Sequence, residues 1–167
     1  VYRDPRGRRV IGYYGAIAEW FDVELVRKVA ERFADCVVLL IGHDTIGAAA
    51  ALSGLGNVEF TGEVPYDELP FYLHGFDAAL LPFRVIELTM ATNPVKVYEY
   101  LSAGKPVVAV DLPETAQFGE LIHRARGHEA FLDAVSLALD ESRGGDERHA
   151  EARRAFAREQ TWAHRAR

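Results

Sequence analysis

Two side chains with complementary chemistry, Lys96 and Glu99, lie three residues apart in the middle of the chain. Residues at this spacing project from the same side of a helix. An ammonium group suits phosphate oxygens and a carboxylate suits hydroxyl groups, so the pair could hold the diphosphate and the ribose of a nucleotide sugar. The alternative is a solvated pair on a surface helix, which would contribute only about 0.2–0.5 kcal/mol to stability. Spacing alone leaves both interpretations open.

A short helix is predicted to carry this pair, because its start and its end are both marked in the sequence. Asn93 is a good N-cap, Pro94 suits the first helical position, and Gly104 suits a left-handed residue after the last turn. The first turn of such a helix has free backbone N–H groups and lies at the positive end of the helix dipole. We therefore expect an anion to bind at the start of this helix.

Strands and helices alternate along the chain. Apolar runs predict strands at 10–15, 37–41, 58–61, 78–81, 107–110 and 121–123. Between and after them the sequence predicts a helix capped by Asp22, an alanine-rich helix at 46–52, a helix at 67–73 interrupted by Pro70, a loop at 83–92, the helix from Asn93 and a helix from about His128. Near-continuous apolar strands separated by helices are typical of a parallel sheet covered on both faces. We therefore expect a doubly wound α/β domain of about six strands.

Ligands of such a sheet bind beyond the carboxyl ends of the strands. The segments predicted to lie there are residues 15–17, 42–44, 62–66 and 82–84 and the start of the Asn93 helix. We expect these segments to line one crevice. Four polar residues lie in or near these segments, namely His43, Asp44, Arg84 and Glu87. Each of them is expected to be a solvated loop residue.

Length and composition favour one domain and exclude several functions. A chain of 167 residues with 49% hydrophobic and 26% charged residues can form one domain with a core, predicted here as residues 1–145. The net charge of −6 argues against a nucleic-acid-binding protein. No run of about 18 apolar residues is present, so the chain is not expected to span a membrane by itself. The single cysteine, Cys36, is expected to be a buried thiol, which is compatible with the cytosol.

Residue spacing disfavours two other kinds of site. Gly12 and Gly15 give an incomplete dinucleotide fingerprint, and Asp44 lies too far along the chain to be its ribose acid. These features argue against a nicotinamide-dependent dehydrogenase. The six histidines lack the paired spacing of metal ligands, and no Asp-x-Asp element occurs. We therefore expect ligand binding without a metal.

Residues 93–109 read Asn-Pro-Val-Lys-Val-Tyr-Glu-Tyr-Leu-Ser-Ala-Gly-Lys-Pro-Val-Val-Ala. This stretch resembles the donor-nucleotide signature of GT-B fold glycosyltransferases, in the group 1, family 4-like class that acts on bacterial envelope polysaccharides. The segments at 40–42, 57–69 and 77–83 occur in the order that this family shows, so the likeness spans residues 10–139. The resemblance implies a Rossmann-like domain that binds the donor nucleotide.

The resemblance also implies a role for each candidate site residue. Glu99 matches the glutamate that holds the ribose hydroxyls in this family, and Lys96 matches a lysine that contacts the donor phosphates. The loop Gly15-Ala16-Ile17 would approach the diphosphate, and the backbone at Val64 and Tyr66 would bond the nucleobase. The implied donor-binding set is Gly15, Ala16, Ile17, Val64, Tyr66, Asn93, Pro94, Val95, Lys96 and Glu99.

The sequence departs from the family pattern at two places. Retaining members carry two glutamates separated by seven residues, and Ala91 stands where the first would be. Many members have Arg and Lys shortly after the first-strand loop, where this chain has Glu19, Trp20 and Asp22. The stereochemical outcome therefore stays open, and phosphate binding is expected to depend on Lys96 and the helix amides.

For the whole protein, the resemblance implies a hexosyltransferase-like enzyme that transfers a sugar to a saccharide or lipid-linked acceptor. No cofactor is implied, and a UDP- or GDP-sugar is preferred over an ADP-sugar. Members of the family use two such domains, and the N-terminal domain carries the acceptor site and most catalytic groups. The chain begins at Val1 without an initiator Met, as expected of a fragment. We therefore expect a cytoplasmic C-terminal half, free or at the inner face of the membrane, that binds donor without turnover.

The segment 146–167 is predicted to be a locally basic helix, with six arginines against four acids. Its predicted packing edge consists of Ala152, Ala155, Phe156 and Trp162. In the family, a helix similar to residues 161–165 crosses back onto the N-terminal domain, so this segment is expected to pack toward that missing partner.

Two alternative functions stay open. The chain could be half of a sugar-nucleotide epimerase, which shares the two-domain architecture. It could also be a non-catalytic α/β module that binds a ligand or a protein. A receiver-like module is disfavoured, because such a domain needs a phosphorylatable acid after a central strand and Asp77 precedes its strand.

Overall fold

A sheet of six parallel strands forms the centre of the computed structural model, which describes the backbone of residues 1–165 and the side chains of residues 1–160. The strands are β1 (Val10–Tyr14), β2 (Val37–Ile41), β3 (Val58–Gly62), β4 (Ala78–Leu81), β5 (Val107–Val110) and β6 (His123–Ala125). They lie in the order β3-β2-β1-β4-β5-β6, and every neighbouring pair is parallel. The prediction of a doubly wound α/β domain is confirmed.

Helices cover both faces of this sheet. They are α1 (Val23–Arg32), α2 (Ala48–Ala51), α3 (Leu69–Leu73), α4 (Glu87–Met90), α5 (Val95–Ser102), α6 (His128–Gly144) and α7 (Glu147–Arg165), with 3₁₀ segments at Tyr66–Glu68 and Pro113–Leu121. The connection through α1 runs from β1 to β2, and the connection through α5 runs the opposite way across the sheet, from β4 to β5. Right-handed crossovers therefore put α1 and α6 on one face and α5 and α7 on the other.

The core lies between the sheet and these two helix layers. Every residue of β1, β2, β4 and β5 is buried, as expected of central strands covered on both sides. On α1 the buried residues are Leu25, Val26, Val29 and Ala30, which follow the helical period. The connections from β1 and β4 diverge at their carboxyl ends, and the crevice at that point is where such folds bind ligands.

Several predicted local features are confirmed. Asp22 caps α1, since its carboxylate accepts a hydrogen bond from the Leu25 N–H at 3.0 Å. Gly104 follows the end of α5 with a φ of 72°, the left-handed conformation predicted for it. Cys36 is a buried free thiol, and burial raises its pKa to about 11. Helix α6 begins at His128.

The central helix α5 begins one residue later than predicted. Pro94 has a ψ of 81°, which is not helical, so the first helical residue is Val95 and the cap position falls on proline. Proline has no side-chain acceptor, and no side-chain bond caps this helix. The prediction that Asn93 is the N-cap is therefore wrong. The Asn93 side chain instead faces the hydroxyl group of Tyr98.

The segment 83–92, predicted to be a loop, contains helix α4. The hydroxyl group of Thr89 donates to the Arg84 carbonyl at 2.6 Å and accepts from the Ile86 N–H at 3.0 Å. These bonds fold the segment into a turn that ends in the short helix. Apolar periodicity could not reveal the helix, because a buried hydroxyl group rather than an apolar stripe stabilises it.

Three other elements differ from their predicted bounds by more than one residue, and β1 and β3 differ by one residue each. The helix predicted at 46–52 shortens to α2. The helix predicted at 67–73 divides into a 3₁₀ turn and α3, with Pro70 in the first turn of α3, where a missing N–H is tolerated. Strand β6 begins two residues later than predicted, at His123, because the preceding 3₁₀ segment continues to Leu121.

Helix α7 packs along α5 and the 3₁₀ segment at Pro113–Leu121. The ring of Phe156 stacks on Tyr98 with centroids 6.3 Å apart and meets Phe118 edge-on at 5.9 Å. Arg153 and Ala157 are buried beside this aromatic cluster. The buried positions 153, 156 and 157 follow the spacing of a single helix face.

The predicted packing edge of α7 is partly wrong. Ala152 is exposed and Ala155 is only half-buried. The face of α7 that packs against the domain runs through positions 153, 156 and 157 instead. The predicted contact of Trp162 and the crossing segment at 161–165 fall outside the residues whose side chains are described. Within the described part of the chain, no helix combines the length and the hydrophobicity needed to cross a bilayer.

Candidate functional site

Two cavities open side by side at the carboxyl ends of β1 and β4. The first, the polar cavity, has a volume of about 340 Å³ and is lined by Tyr14, Gly15, Ala16, Ile41, Gly42, His43, Glu63, Val64, Tyr66, Leu69, Lys96 and Glu99. The second, the apolar cavity, has a volume of about 390 Å³ and is lined by Ala16, Trp20, Leu81, Phe83, Leu88, Thr89, Thr92, Asn93, Pro94, Val95 and Lys96. Ala16 and Lys96 line both cavities, so the two meet at these residues.

The loops after β1, β2 and β3 are joined by backbone hydrogen bonds and form one wall of the polar cavity. The Gly15 N–H donates to the Ile41 carbonyl at 2.8 Å, and the Gly42 N–H donates to the Gly62 carbonyl at 3.0 Å. Gly15 and Gly42 have φ values of 137° and 147°, which other residues rarely adopt. A side chain at Gly42 would also collide with the Gly15 carbonyl. Glycine at both positions therefore allows the loops to approach each other.

Lys96 points into the polar cavity from the first turn of α5. Its side chain lies across Gly15, where an added methyl group would occupy the same space. Its ammonium nitrogen lies 5.8 Å from the centre of the Tyr14 ring. The ammonium group forms no ion pair within the described residues, and burial lowers its pKa. A half-buried cation without a counter-ion, at the positive end of a helix, favours an anion at this point.

Glu99 lines the same cavity one turn further along α5. It is half-buried, and burial raises its pKa. Glu99 and Lys96 do not pair with each other, since no salt bridge between described side chains includes either of them. The interpretation as a surface ion pair is therefore wrong. The carboxylate remains free to accept hydrogen bonds from a ligand.

Val64 and Tyr66, in the segment that follows β3, also line the polar cavity. Within the described part of the chain, no hydrogen bond engages the backbone N–H or the carbonyl of Val64. The Tyr66 side chain is 78% exposed, and Leu69 adds an apolar surface beside it. An aromatic ring next to free backbone groups could accommodate a flat heterocycle with a polar edge.

The start of α5 lies on the side of the apolar cavity. Asn93, Pro94 and Val95 line that cavity, whereas Gly15, Ala16, Val64, Tyr66, Lys96 and Glu99 line the polar one. Of the predicted donor-binding residues, Ile17 alone lines neither cavity. Its side chain is fully buried, its N–H donates to the His43 carbonyl at 2.9 Å, and its carbonyl accepts from the Thr45 N–H. Ile17 therefore supports the loop without facing the site.

Three of the four polar residues expected to be solvated, His43, Arg84 and Glu87, are exposed, whereas Asp44 is half-buried. The Asp44 carboxylate bonds the first turn of α2, accepting from the N–H groups of Ala48 at 3.0 Å and Ala49 at 2.9 Å, while the cap position itself is Gly47. Burial acts to raise the pKa of Asp44, but these and other backbone bonds outweigh it and lower the pKa. Arg84 is exposed and donates to the Glu19 carbonyl at 3.1 Å. Asp44 and Arg84 therefore stabilise loops, and His43 faces the polar cavity.

Some lining residues were missed by the analysis of the sequence. In the polar cavity they include Tyr14 and Leu69, and in the apolar cavity Trp20 and Leu88, whereas Glu63 and Phe83 belong to the segments predicted to lie at the crevice. Tyr14 ends β1 and Trp20 lies in the loop that follows it, and nearness to a strand end is the signal that could have identified both. Leu88 lies on the unpredicted helix α4, so no such signal existed for it.

Among the described residues, no three histidine, cysteine, aspartate or glutamate side chains come together in a group that could hold a metal ion. The polar cavity presents one ammonium group, two carboxylates and one imidazole from Lys96, Glu63, Glu99 and His43. This set suits a ligand that has both an anionic part and hydroxyl groups.

Comparison with known proteins gives a family match. The model of the family described as "Glycosyl transferases group 1" matches residues 8–141. A Bacillus subtilis protein named as a teichuronic acid biosynthesis glycosyltransferase, TuaH, is 31% identical over 92% of this chain and 40% of its own length. The 2-deoxystreptamine glucosyltransferase of Streptomyces kanamyceticus is 30% identical over 84% of this chain and 41% of its own length. The chain thus spans about two fifths of these relatives.

A solved structure shows the same fold. Alr3699/HepE of Anabaena, crystallised in complex with UDP and glucose, superposes with a TM-score of 0.69. The superposition covers 90% of this chain and 43% of the Anabaena chain, and the two are 16% identical in sequence. At this level of identity the likeness concerns the fold alone.

Proposed function

Because this chain belongs to the glycosyl transferases group 1 family, we propose that it binds the nucleoside diphosphate sugar donor of a glycosyltransferase. One observation carries the proposal: Lys96 and Glu99 enter a single cavity at the switch point of the sheet, and neither has an ionic partner among the described side chains. A purely structural pair would be expected to neutralise each other. Two unpaired and partly buried charges indicate a ligand that supplies both partners.

The proposed diphosphate position is beside Lys96 and the first turn of α5. The ammonium group and the positive end of the helix dipole would balance the negative charge of the phosphates. The amides of this turn contribute less than the sequence predicts, because the N–H groups of Val95 and Val97 already donate to the carbonyls of Asn93 and Pro94. Transfer breaks the bond between the anomeric carbon and the diphosphate oxygen, and negative charge then grows on the departing diphosphate. A cation fixed at that oxygen would stabilise the charge in the transition state, which is the catalytic contribution expected from this half of the enzyme.

The proposed nucleoside position is further into the polar cavity. Glu99 lies three residues beyond Lys96, which is about 4.5 Å along the helix axis. Its carboxylate would accept hydrogen bonds from the ribose hydroxyl groups, and the free backbone groups of Val64 would bond the polar edge of the base. Tyr66 would cover the base from the exposed side.

UDP is the proposed nucleotide, in preference to GDP or ADP. The support for this choice is that the similar fold of Alr3699/HepE was crystallised with UDP and glucose. No cofactor or metal is included in the proposal. The names of the relatives, a teichuronic acid glycosyltransferase and an aminocyclitol glucosyltransferase, support a saccharide or other hydroxylated acceptor, including a lipid-linked one.

The whole protein is proposed to be a two-domain GT-B enzyme of which this chain is the C-terminal half. The support is that the chain spans only about two fifths of its relatives. The acceptor site and most catalytic groups would lie on the N-terminal half, toward which α7 would extend. The proposed location is cytoplasmic, free or at the inner face of the membrane, and it depends on the family alone.

Isothermal titration calorimetry on the 167-residue chain tests the donor-binding proposal. We expect UDP to bind more tightly than GDP or ADP. Lys96→Ala should weaken UDP binding by a factor of about 10 or more and leave uridine binding little changed, because a charge-assisted bond to phosphate is lost. Arg3→Ala, which removes an exposed cation far from the site, is the matched control. Absence of binding to all three nucleotides would contradict the proposal.

The role of Glu99 has its own test. Glu99→Gln should weaken the binding of UDP more than that of 2′-deoxy-UDP, because only the ribose form has both hydroxyl groups to donate to the carboxylate. Glu120→Gln, at an exposed position, is the control. Equal losses for the two nucleotides would show that Glu99 does not hold the ribose.

A further inference from the structure

The apolar cavity is the part of the site whose occupant the proposed function leaves open. Its walls come mainly from the side chains of Trp20, Phe83, Leu88 and Val95. Leu88 is 48% exposed and Val95 is 60% exposed, although both are large and hydrophobic. Such side chains at the mouth of a cavity favour a ligand that has an apolar part.

The hydroxyl hydrogens of the two threonines that line this cavity are already used within the protein. The Thr89 hydroxyl group donates to the Arg84 carbonyl at 2.6 Å, and the Thr92 hydroxyl group donates to the Leu88 carbonyl at 2.6 Å. Asn93 faces the Tyr98 hydroxyl group. Lys96 lies at the boundary with the polar cavity, and the side-chain oxygens of Thr92 and Asn93, both at exposed positions, can still accept a hydrogen bond. A hydroxyl group placed against the apolar walls, away from these atoms, would therefore lose water without gaining a side-chain partner.

The position of the cavity connects it to the transferred group. This step rests on the proposed function, which puts the nucleoside in the polar cavity and the diphosphate beside Lys96. The sugar is attached to the far end of the diphosphate, so it extends past Ala16 and Lys96 into the apolar cavity. The lining of that cavity then selects among donor sugars.

We infer that the donor carries a methyl-bearing sugar, either N-acetylated or 6-deoxy, rather than a fully hydroxylated hexose. A methyl group placed against Trp20 or Leu88 removes apolar surface from water, whereas a hydroxyl group there is left without a partner. The two sugar types share this chemistry, since an acetamido group and a 6-deoxy carbon each present one methyl group.

Competition calorimetry with a matched set of UDP-sugars tests the inference on the 167-residue chain. UDP-N-acetylglucosamine and UDP-6-deoxyglucose each differ from UDP-glucose at one position of the ring. We expect each to bind at least roughly fourfold more tightly than UDP-glucose, the factor that corresponds to burying one methyl group. UDP-glucose binding as tightly as both of them, or more tightly, would overturn the inference.

Two variants locate the preference in the apolar cavity. Trp20→Ala and Leu88→Ser should each bring the affinities for the methyl-bearing UDP-sugars closer to the affinity for UDP-glucose, so that their ratio approaches one. The affinity for UDP itself should stay unchanged. Leu88 is exposed, so its variant keeps the test valid if Trp20→Ala folds poorly. Leu137→Ala, which removes an exposed leucine on α6 outside both cavities, should keep the full ratio of affinities. A preference that survives both cavity variants would overturn the assignment.

The outcome separates this inference from the proposed function. Binding of UDP with no preference among the sugars overturns the inference and leaves donor binding intact. Absence of UDP binding overturns the proposed function and, with it, this inference.

Discussion

At the residue scale, the position of Lys96 depends on the absence of a side chain at Gly15. Gly15→Ala would put a residue with a side chain at a φ of 137°, a conformation that costs about 1–3 kcal/mol. The new methyl group would also displace the Lys96 side chain from the cavity. We expect a lower melting temperature and a loss of UDP affinity close to that of Lys96→Ala, measured by thermal unfolding and calorimetry.

The control for this substitution is Gly54→Ala, because Gly54 has open space around it and no positive φ. A double-mutant cycle separates the two effects of the change at Gly15. In a Lys96→Ala background, Gly15→Ala should still lower stability but should no longer weaken UDP binding. A full additional loss of affinity in that background would contradict the proposed contact.

Glu99 is predicted to lower the stability of the unliganded protein at neutral pH. Burial raises its pKa above the ordinary value of 4.5. A carboxyl group with a raised folded-state pKa contributes stability below its unfolded pKa, and this contribution is lost as the pH rises through the folded pKa. Glu99→Gln has no such charge, so it should be more stable than the wild type at neutral pH. The group is half-exposed, so the expected gain is below about 1 kcal/mol.

Thermal unfolding across the acidic to neutral range measures this effect. The difference between Glu99→Gln and the wild type should grow as the pH rises above the unfolded pKa and disappear below it. Glu120→Gln, at an exposed position, should show no such trend. A Gln variant that is less stable than the wild type at neutral pH would mean that Glu99 makes a stabilising contact within the protein.

At the scale of elements, a buried ion pair joins α7 to the rest of the structure. Arg153 on α7 donates to both carboxylate oxygens of Glu141 on α6, at 2.8 and 2.9 Å, and also to the Leu121 carbonyl. The side chains of Arg153 and Glu141 are only 3% and 16% exposed. Removing one partner of such a pair leaves an uncompensated buried charge.

Arg153→Met is therefore expected to lower the free energy of unfolding by about 2–4 kcal/mol. His123 and His149 lie 3.7 and 3.5 Å from the same carboxylate and keep the loss below the upper limit for a fully buried pair. Arg158→Met, at an exposed position on the same helix, is the control and should change stability little. Urea unfolding measures the free energy of unfolding of both variants. Equal losses for Arg153→Met and Arg158→Met would contradict the role of Arg153.

The elements differ in how far their sequences predicted them. The bounds of β2, β4 and β5 were predicted correctly because each strand is a continuous apolar run. Helix α4 was missed and the cap of α5 was misplaced because both depend on single contacts, the buried Thr89 hydroxyl group and the non-helical ψ of Pro94. Periodicity reports which face is buried, and it does not report such local bonds.

At the scale of the whole molecule, the site is assembled from segments far apart in the sequence. Loops after β1, β2, β3 and β4 meet the start of α5 because the strand order brings their carboxyl ends to one edge. This rule was sufficient to predict that Gly15, Val64 and Lys96 lie around one crevice. It could not predict that the crevice divides into a polar and an apolar part, because that division depends on how side chains such as Trp20 and Leu88 pack.

The described residues form one hydrophobic core that runs through the sheet and both helix layers, so we expect the chain to fold and bind UDP without a second domain. UDP at a hundredfold excess over its Kd should stabilise the folded state by about 2.7 kcal/mol. For a chain of this size that corresponds to a rise of roughly 5–10 °C in melting temperature. Lys96→Ala at the same UDP concentration should show a smaller rise in melting temperature, because its affinity for UDP is lower.

Release of UDP from a UDP-sugar by this chain alone, followed in the same samples, should stay at the uncatalysed rate, since the acceptor site and most catalytic groups are proposed to lie on the other half. Donor-dependent turnover by the isolated chain would contradict that division of labour, and a missing thermal shift would contradict the donor site itself.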